Sequence, residues 1–594
     1  MQIEKLSLQS LWSLLIEKRS YLIWGQLITL LAILINVPIP LMLPVLVDEI
    51  LLERPGVTLN IIDAAFGSGN AFYYIAIVTI IVIFLRLMHF LLSAIITKIF
   101  TIIAKHVTFK IREKLILHLK QVCMNEYEGL GSGAVTSNLV TDVNTLDAFI
   151  ITGASKLVAS VLTVIAVSCV IIAIHPILGL MILFIQPLIM LLSKKISKSV
   201  GTLKKHENQA IEDFQDNLGE VLELFGQIKA SNKENYFFDN AIQKAKQVQT
   251  TSNEFNYKSI AYERFSFTIF LIAFEILRAS GLIMVAYSDL SIGMMFAMFG
   301  YIWFLMTPVQ DILSLQYSYA NANAALKRIN AIFDLSLEKN GEEELIVAPK
   351  EGVTISIENL YFSYSEDKPL LRDISFSIKP KEKIALIGAS GSGKTTLAQV
   401  ISGFYEKKSG HIHYNTISLE NINKASLRAN LFLVLQMPIL FNNTLRFNIT
   451  MGNDTIDDKT IFEALSIAQL CQTVKDMPNG LDTIVGRHGI RLSGGQRQRL
   501  SIARMIIANP EVVIFDESTS ALDVDTENRL FDSLKPFLEN KTVITIAHRL
   551  STVKNAQKIF VLNEGKLVQS GTHEELEYRD GHYKEFVKNQ LLQH

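Results

Sequence analysis

The sequence predicts a multidomain chain. An all-α, six-helix transmembrane domain occupies residues 1–320, a linker 321–352, and an α/β P-loop domain 353–594. Three observations predict it. Apolar residues make up 49% of the 594 residues and mean hydropathy is +0.30, with the excess gathered in the first 320. Beyond residue 352, short apolar runs alternate with helical patterns, as in a largely parallel sheet with crossover helices. One of those runs leads into a glycine-rich loop ending in Lys-Thr-Thr. A chain of this length needs at least two domains.

The opening MQIEKLSLQSLWSLLIEKRS has early acids and no small-residue cleavage site. It reads as an amphipathic elbow helix on the membrane surface, with no further domain ahead of the first span. Six apolar stretches, roughly 21–50, 72–104, 149–174, 177–194, 260–286 and 291–313, are long enough to cross a bilayer core of about 30 Å. Pro38, Pro40 and Pro44 predict a bend in the first, and His175-Pro176 a tight hairpin between the third and fourth. The connections around 105–148 and 195–259 carry Lys105, Arg112, Lys194, Lys195, Lys204 and Lys205, whereas the opposite ones carry a single basic residue, Arg54. The positive-inside rule therefore places both termini and the long connections in the cytoplasm of a multi-pass inner (plasma) membrane protein. Those connections keep helical periodicity. They are expected to run on past the membrane and to turn through transverse segments near 124–130 and 212–219.

A net charge of −1 argues against nucleic acid as a partner. The three cysteines, Cys123, Cys169 and Cys471, have neither pair nor metal spacing and fit idle thiols in a reducing cytosol. There is no internal repeat and no low-complexity tract.

The chemistry sits in the second domain. The strand KIALIG runs into Gly388-Ala389-Ser390-Gly391-Ser392-Gly393-Lys394-Thr395-Thr396. Glycines let backbone N–H groups close around β- and γ-phosphates, Lys394 neutralises them, and the Thr395 hydroxyl suits Mg²⁺. EVVIFDES brings Asp516 to a strand end, fit to hold Mg²⁺ through water, followed by Glu517, a carboxylate able to polarise an attacking water. An acidic pair closing a strand is otherwise unremarked structure; beside a P-loop it reads as catalytic. About a hundred residues after the lysine, Ser493, Gly494 and Gly495 open another helix suited to an anion. One domain thus carries two phosphate grips.

Taken in order, GASGSGKTT, Gln436 in LVLQMPILF, LSGGQ, VVIFDESTSALD and His548 in ITIAHR resemble the nucleotide-binding domain of the ATP-binding cassette (ABC) family. The six spans ahead of them resemble an exporter-type (type IV) half-transporter, so the likeness covers almost the whole chain. The resemblance implies two cassettes docked head to tail, each capping the other's ATP. Ser493, Gly494, Gly495 and Gln496 would touch the γ-phosphate and ribose of the partner's nucleotide, and Asp523 would lie in the loop crossing the interface. It implies Tyr364 as the aromatic stacking on adenine, with Tyr361 as competitor and an ordinary strand tyrosine as the bland alternative. It implies Gln436 as the Mg²⁺- and water-sensing residue and His548 as the switch on the γ-phosphate. In one place the chain departs from the family: TIVGRHGIRLSGGQ has Arg487 and His488 where a glutamate usually stands, which bears on coupling and not on hydrolysis.

The resemblance implies a working unit of two half-transporters. A full set of ATPase residues on one chain favours a homodimer over a heterodimer. Charges within the spans point to cargo, because burying them in lipid is costly. Arg86 and His89 stand at i, i+3 in the second span, and Glu275 and Arg278 at i, i+3 in the fifth, at similar depth. They would suit a zwitterionic or peptide-like cargo, or else form ion pairs that hold helices together. Tyr301, Trp303 and Phe304 in the sixth span face lipid or pack. The expected activity is ATP-driven export of an amphipathic drug, lipid or peptide. Import of a siderophore-like cargo and an ATP-gated channel or regulatory receptor are the alternatives. With no peptidase domain ahead of the elbow helix, a leader-cleaving exporter is not expected.

Overall fold

The computed structural model describes residues 5–54, 56–347, 351–364, 369–486, 489–547 and 549–591. The chain divides into two compact units, residues 1–116 with 136–333, and residues 117–135 with 334–594.

In the first unit, Ser7 and Ser10 form a reciprocal cap on the helix Leu8–Ile16, which buries Leu11, Leu14 and Leu15 and leaves Trp12 exposed. This is the expected amphipathic opening. The next helix, Arg19–Asn36, ends where Pro38 and Pro40 remove backbone donors. The chain continues through a tight turn at Ile39–Leu41 and a wide one at Val45–Leu51. Helices Ala71–Leu119, Val158–Ile174, Pro176–Glu223, Glu234–Tyr287 and Ile292–Phe333 take up the other five apolar stretches. Among the described residues, Arg19–Leu51, Ala71–Leu119, Glu234–Tyr287 and Ile292–Ile312 are long and apolar enough to cross a membrane. Val158–Ile174 is shorter because the wide turn Thr152–Leu157 interrupts it, and the hairpin at His175 follows directly. There Pro176 opens the next helix and the His175 ring accepts from the Leu178 amide.

The 49 residues of Ala71–Leu119 span about 74 Å at about 1.5 Å each, more than twice the hydrocarbon thickness of about 30 Å. A short helix does form at Met124–Leu130. The second one lies at Phe225–Ala230 and not at 212–219, because the preceding helix runs unbroken to Glu223. Gly219 does not stop it, since glycine in a helix costs only about 1 kcal/mol. The last long helix continues past residue 320 to Phe333, inside the stretch read as linker. Tyr301 packs in the core of this unit and donates to Val37 O at 2.6 Å, while Trp303 is half-exposed with its ring against Phe270 and Phe274.

The second unit holds a six-stranded sheet. In spatial order its strands are Lys566–Gly571, Lys558–Asn563, Lys383–Gly388, Thr542–Ile546, Val512–Asp516 and Leu431–Val434. Only the first pair is antiparallel. All five residues of Val512–Asp516 are buried, as a parallel strand covered on both faces demands. An antiparallel sheet, Leu371–Ile378, Ile355–Phe362, Ser409–Tyr414 and Ile417–Ser418, lies beside it over a shared core that includes Ile384, Leu397, Ile412 and Ile514. The C-terminal ends of the central strands carry the residues singled out above.

Candidate nucleotide site

The parallel strand Lys383–Gly388 delivers the chain to the phosphate loop, and the helix Lys394–Ile401 leaves it. A side chain at Gly388 would place its Cβ 2.1 Å from Leu562 O, so only glycine lets the loop start against the neighbouring strand. Gly391 and Gly393 take φ of 79° and 99°. Lys394 is buried and donates from Nζ to the Gly388 and Ala389 carbonyls, both at 2.9 Å. Its amine is thus curled into the loop. Burial pushes its pKa down, against the opposing pull of Glu517 and Asp516. The Ser392 hydroxyl is buried with no hydrogen-bond partner among the described residues. That is an acceptor and donor suited to a ligand oxygen.

Two bonds join segments far apart in sequence. Thr395 Oγ1 donates to Asp516 Oδ1 at 3.0 Å, and Gln436 Nε2 donates to Glu517 Oε2 at 2.7 Å. Hydroxyl, carboxylate and amide oxygens are the hard donors that Mg²⁺ takes, so the set fits that ion. Glu517 holds φ at 46°, a left-handed conformation rare for a side chain of its size. Strain of this kind turns the carboxylate out of the strand line toward Gln436.

Tyr364 is exposed, and its hydroxyl lies 3.1 Å from Thr396 Oγ1. Tyr361 stays on the strand Ile355–Phe362. Ser493 caps the helix Gly494–Ala508: its Oγ accepts from Gln496 N at 3.2 Å, and Gln496 Oε1 accepts from Ser493 N at 2.8 Å. Gly495 sits where a Cβ would come 2.8 Å from Leu522 Cδ2, so the helix start packs against the loop after Glu517. Among the described residues neither Ser493 nor Gln496 hydrogen-bonds the phosphate loop of its own chain. Asp523 caps Val524–Leu538 through the Thr526 amide, a bond that holds its carboxyl below the usual range. His548, Arg487 and His488 lie outside the described residues.

Sequence reading missed several partners. Gln498 is buried and ties two loops to its helix, donating to Gln436 O at 3.1 Å and Ser520 Oγ at 3.2 Å and accepting from Ala521 N at 3.1 Å. Glu527 is buried, accepts from Thr519 and is paired with Arg549, which also donates to Leu522 O. In the spans, Arg86 donates to Asn36 Oδ1 at 3.5 Å and His89 Nδ1 lies 3.3 Å from Ala32 O. Glu275 pairs with Arg278 on its own helix. Lys156 and Asp311, not singled out from sequence, pair at 3.7 Å.

Phosphate loop, strand-end acids and a second anion-ready helix on one sheet, behind apolar helices of membrane-crossing length, define a membrane transport ATPase. Family models agree: that of the ABC transporter matches residues 371–520, and that of the ABC transporter transmembrane region matches residues 37–309. A putative multidrug export ATP-binding/permease protein of Bacillus subtilis (strain 168) is 30% identical over 501 residues, 82% of this chain and 84% of that one. An ATP-dependent lipid A-core flippase of Legionella pneumophila (strain Paris) is 30% identical over 513 residues, 82% of this chain and 83% of that one. The structure of a bacterial Atm1-family ABC exporter with ATP bound shares the fold, with a TM-score of 0.82 at 22% identity, over 96% of this chain and 98% of that one. The chain belongs to the ABC transporter family. It is an ATP-hydrolysing membrane transporter of the half-transporter kind, with one membrane region and one cassette.

Proposed function

We propose that two copies of this chain form a homodimer in the inner (plasma) membrane and export an amphipathic drug, lipid or peptide at the expense of ATP. The reading keeps the termini and cassettes cytoplasmic and sets the membrane domain at residues 1–320 and the cassette at 353–594. The observation that carries it is the closure of three distant motifs on one spot, through Thr395–Asp516 and Gln436–Glu517. Names of two relatives, one for multidrug export and one for lipid A, support an amphipathic cargo.

In this reading the backbone from Gly388 to Thr396, with Lys394 and the Ser390 and Ser392 hydroxyls, holds the β- and γ-phosphates, and Tyr364 stacks on the base. Thr395, Asp516 and Gln436 would hold Mg²⁺, which would supply positive charge to offset that of the phosphates. Glu517 polarises the attacking water as base, and His548 contacts the γ-phosphate. Ser493, Gly494, Gly495, Gln496 and Asp523 complete the partner's site, so neither chain turns over alone. To drive a two-state membrane domain from 1:99 to 99:1, ATP must favour the closed state by about 5.5 kcal/mol. Arg86, His89, Glu275 and Arg278 are the polar cargo contacts.

The test is uptake by proteoliposomes with cassettes facing outward, using the lipophilic cation rhodamine 6G. Accumulation that needs ATP and Mg²⁺, and is absent in Glu517→Gln, is the expected result. ATP-driven loss of dye from preloaded vesicles would overturn export.

A further inference from the structure

Between the first two candidate spans stands a helix that neither the hydrolytic scheme nor the cargo reading uses. Val57–Phe66 is apolar but too short to cross a membrane. Residues 52–56 separate it from the wide turn Val45–Leu51, and residues 67–70 separate it from Ala71–Leu119. Even fully extended, at about 3.5 Å per residue, these connections reach no more than about 18 and 14 Å. The helix is therefore tethered at both ends to the surface where the two spans emerge.

One face is locked onto those spans. Ile62 is buried among Val45, Ile50, Tyr74 and Val78, and Leu59 packs against the same cluster. Leu59 N donates to Glu49 Oε2 at 2.7 Å, so a carboxylate from the first span satisfies an open amide of the first turn. At the other end, Tyr73 Oη donates to Phe66 O and Tyr74 Oη to Asp63 Oδ1, each at 2.6 Å. Asp63, the one charged side chain of the helix, is thus engaged toward the second span.

The opposite face is bare. Val57, Asn60, Ile61, Ala64 and Ala65 fall at i, i+3, i+4, i+7 and i+8, and all are exposed. None is charged. Val57 is 76% exposed and Ile61 62%, and the exposed Leu51, Leu52, Phe66 and Phe72 carry the apolar surface onto the ends of both spans. A helix that meets water turns charge outward and keeps its apolar stripe for the protein. Here the outward stripe is apolar and continuous with surfaces that belong to membrane-crossing helices.

We propose that Val57–Phe66 is an interfacial helix whose outward stripe lies at the headgroup–acyl boundary, in the leaflet away from the cassettes. The choice of leaflet rests on the reading of six crossings with a cytoplasmic cassette. Because the stripe carries no charge, apolar burial holds it there, without the help of anionic lipid that a basic amphipathic helix draws on. Screening by salt leaves such an attachment in place.

The full chain is tested in sealed phosphatidylcholine proteoliposomes with cassettes facing outward, by power-saturation EPR of single spin labels. Ile61→Cys and Ala64→Cys report the stripe. Leu87→Cys, exposed within the second span, marks the bilayer interior, and Lys459→Cys, exposed on the cassette, marks water. Cys169 and Cys471 are replaced by serine, and Cys123 is buried. Oxygen concentrates in hydrocarbon, whereas a nickel chelate stays in water. The oxygen-to-nickel accessibility ratio at Ile61 and Ala64 should rise from the Lys459 value toward the Leu87 value. It should hold in anionic phosphatidylglycerol vesicles and at about 1 M salt. Nickel access equal to that at Lys459 would overturn the proposal. So would labels closed to both reagents and broadened by the second copy, with the broadening lost on dilution by unlabelled chain, since the face would then be a contact between copies. Impermeant ascorbate tests the leaflet separately: it should reduce the Lys459 label and spare one at Ser68→Cys, in the connection to the second span. Rapid reduction at Ser68 would sink the six-crossing reading and the choice of leaflet, while the ratios at Ile61 and Ala64 alone decide insertion.

Discussion

The nucleotide site and the charged residues of the spans were read from sequence by similar spacing arguments, and the fold treats them differently. In the cassette, residues 121 and 81 positions apart meet at 3.0 and 2.7 Å. In the spans, Glu275 finds its partner three residues away on its own helix, and Arg86 reaches Asn36 only at 3.5 Å. A parallel sheet brings the ends of its strands to one edge, so a motif at a strand end is a statement about place. A helix in an apolar setting offers no such edge. Its i, i+3 neighbours meet whatever it packs against, and depth counted along the sequence does not say which face is turned inward.

The largest effect that would break this comparison is at Glu517. Glu517→Gln keeps an acceptor for the Gln436 amide, so the loop should hold its geometry and ATP should still bind. Turnover should fall by roughly 10²–10⁴. Single-turnover hydrolysis beside an ATP-binding isotherm checks it, and near-parent turnover would remove Glu517 as the base.

Ser493→Ala comes next. Loss of the reciprocal cap with Gln496 costs about 1 kcal/mol of helix stability, which a melting curve reads. If Ser493 also caps the partner's nucleotide, hydrolysis should drop at least about tenfold beyond that, the scale of one charge-assisted bond. Activity per chain should also fall on dilution below the dimer's dissociation constant. A monomer hydrolysing at the dimer's rate would contradict shared sites.

Much of this was legible beforehand, for physical reasons that also explain the gaps. Strands Lys383–Gly388, Leu431–Val434, Val512–Asp516 and Thr542–Ile546 fall on the apolar runs read from sequence, since a strand buried on both faces shows as an unbroken run. Proline at 38 and 40 ended the first long helix as its chemistry requires. The turn expected at 212–219 is absent because the helix runs unbroken to Glu223 and tolerates Gly219 in its interior. Gln498 and Glu527 escaped notice because each acts through a tertiary hydrogen bond with no spacing signature. Lys156 and Asp311 escaped because each stands near the end of an apolar run, where charge is ordinary.

A smaller effect sharpens the other half of the comparison. As an i, i+3 pair, Glu275–Arg278 is worth about 0.2–0.5 kcal/mol to its helix. Replacing Glu275 by Gln and Arg278 by Met together should barely move the melting temperature or basal ATPase activity. Stimulation of that ATPase by rhodamine 6G should nevertheless be lost if the pair reads cargo. Full stimulation in the double variant would make the pair a local structural device and nothing more.

The smallest effect is a pH dependence, and its sign follows from Lys394. Burial holds its folded pKa below the ordinary lysine range. Below that folded pKa the amine is protonated in both folded and unfolded chains, and the cost of burying the cation is felt in full. Between the folded value and the ordinary lysine range the unfolded chain binds a proton that the native one lacks, so stability rises with pH there. ATP binding runs the other way. Triphosphate charge beside the amine favours its protonated form, so in that window binding takes up a proton and affinity falls as pH climbs, by at most about tenfold per unit. Lys394→Arg, which keeps its charge throughout, should bind ATP with a flat profile over the same range. Parallel profiles for the parent and Lys394→Arg would mean that the buried amine does not face the phosphates, and the geometry of the loop would then have to be read without it.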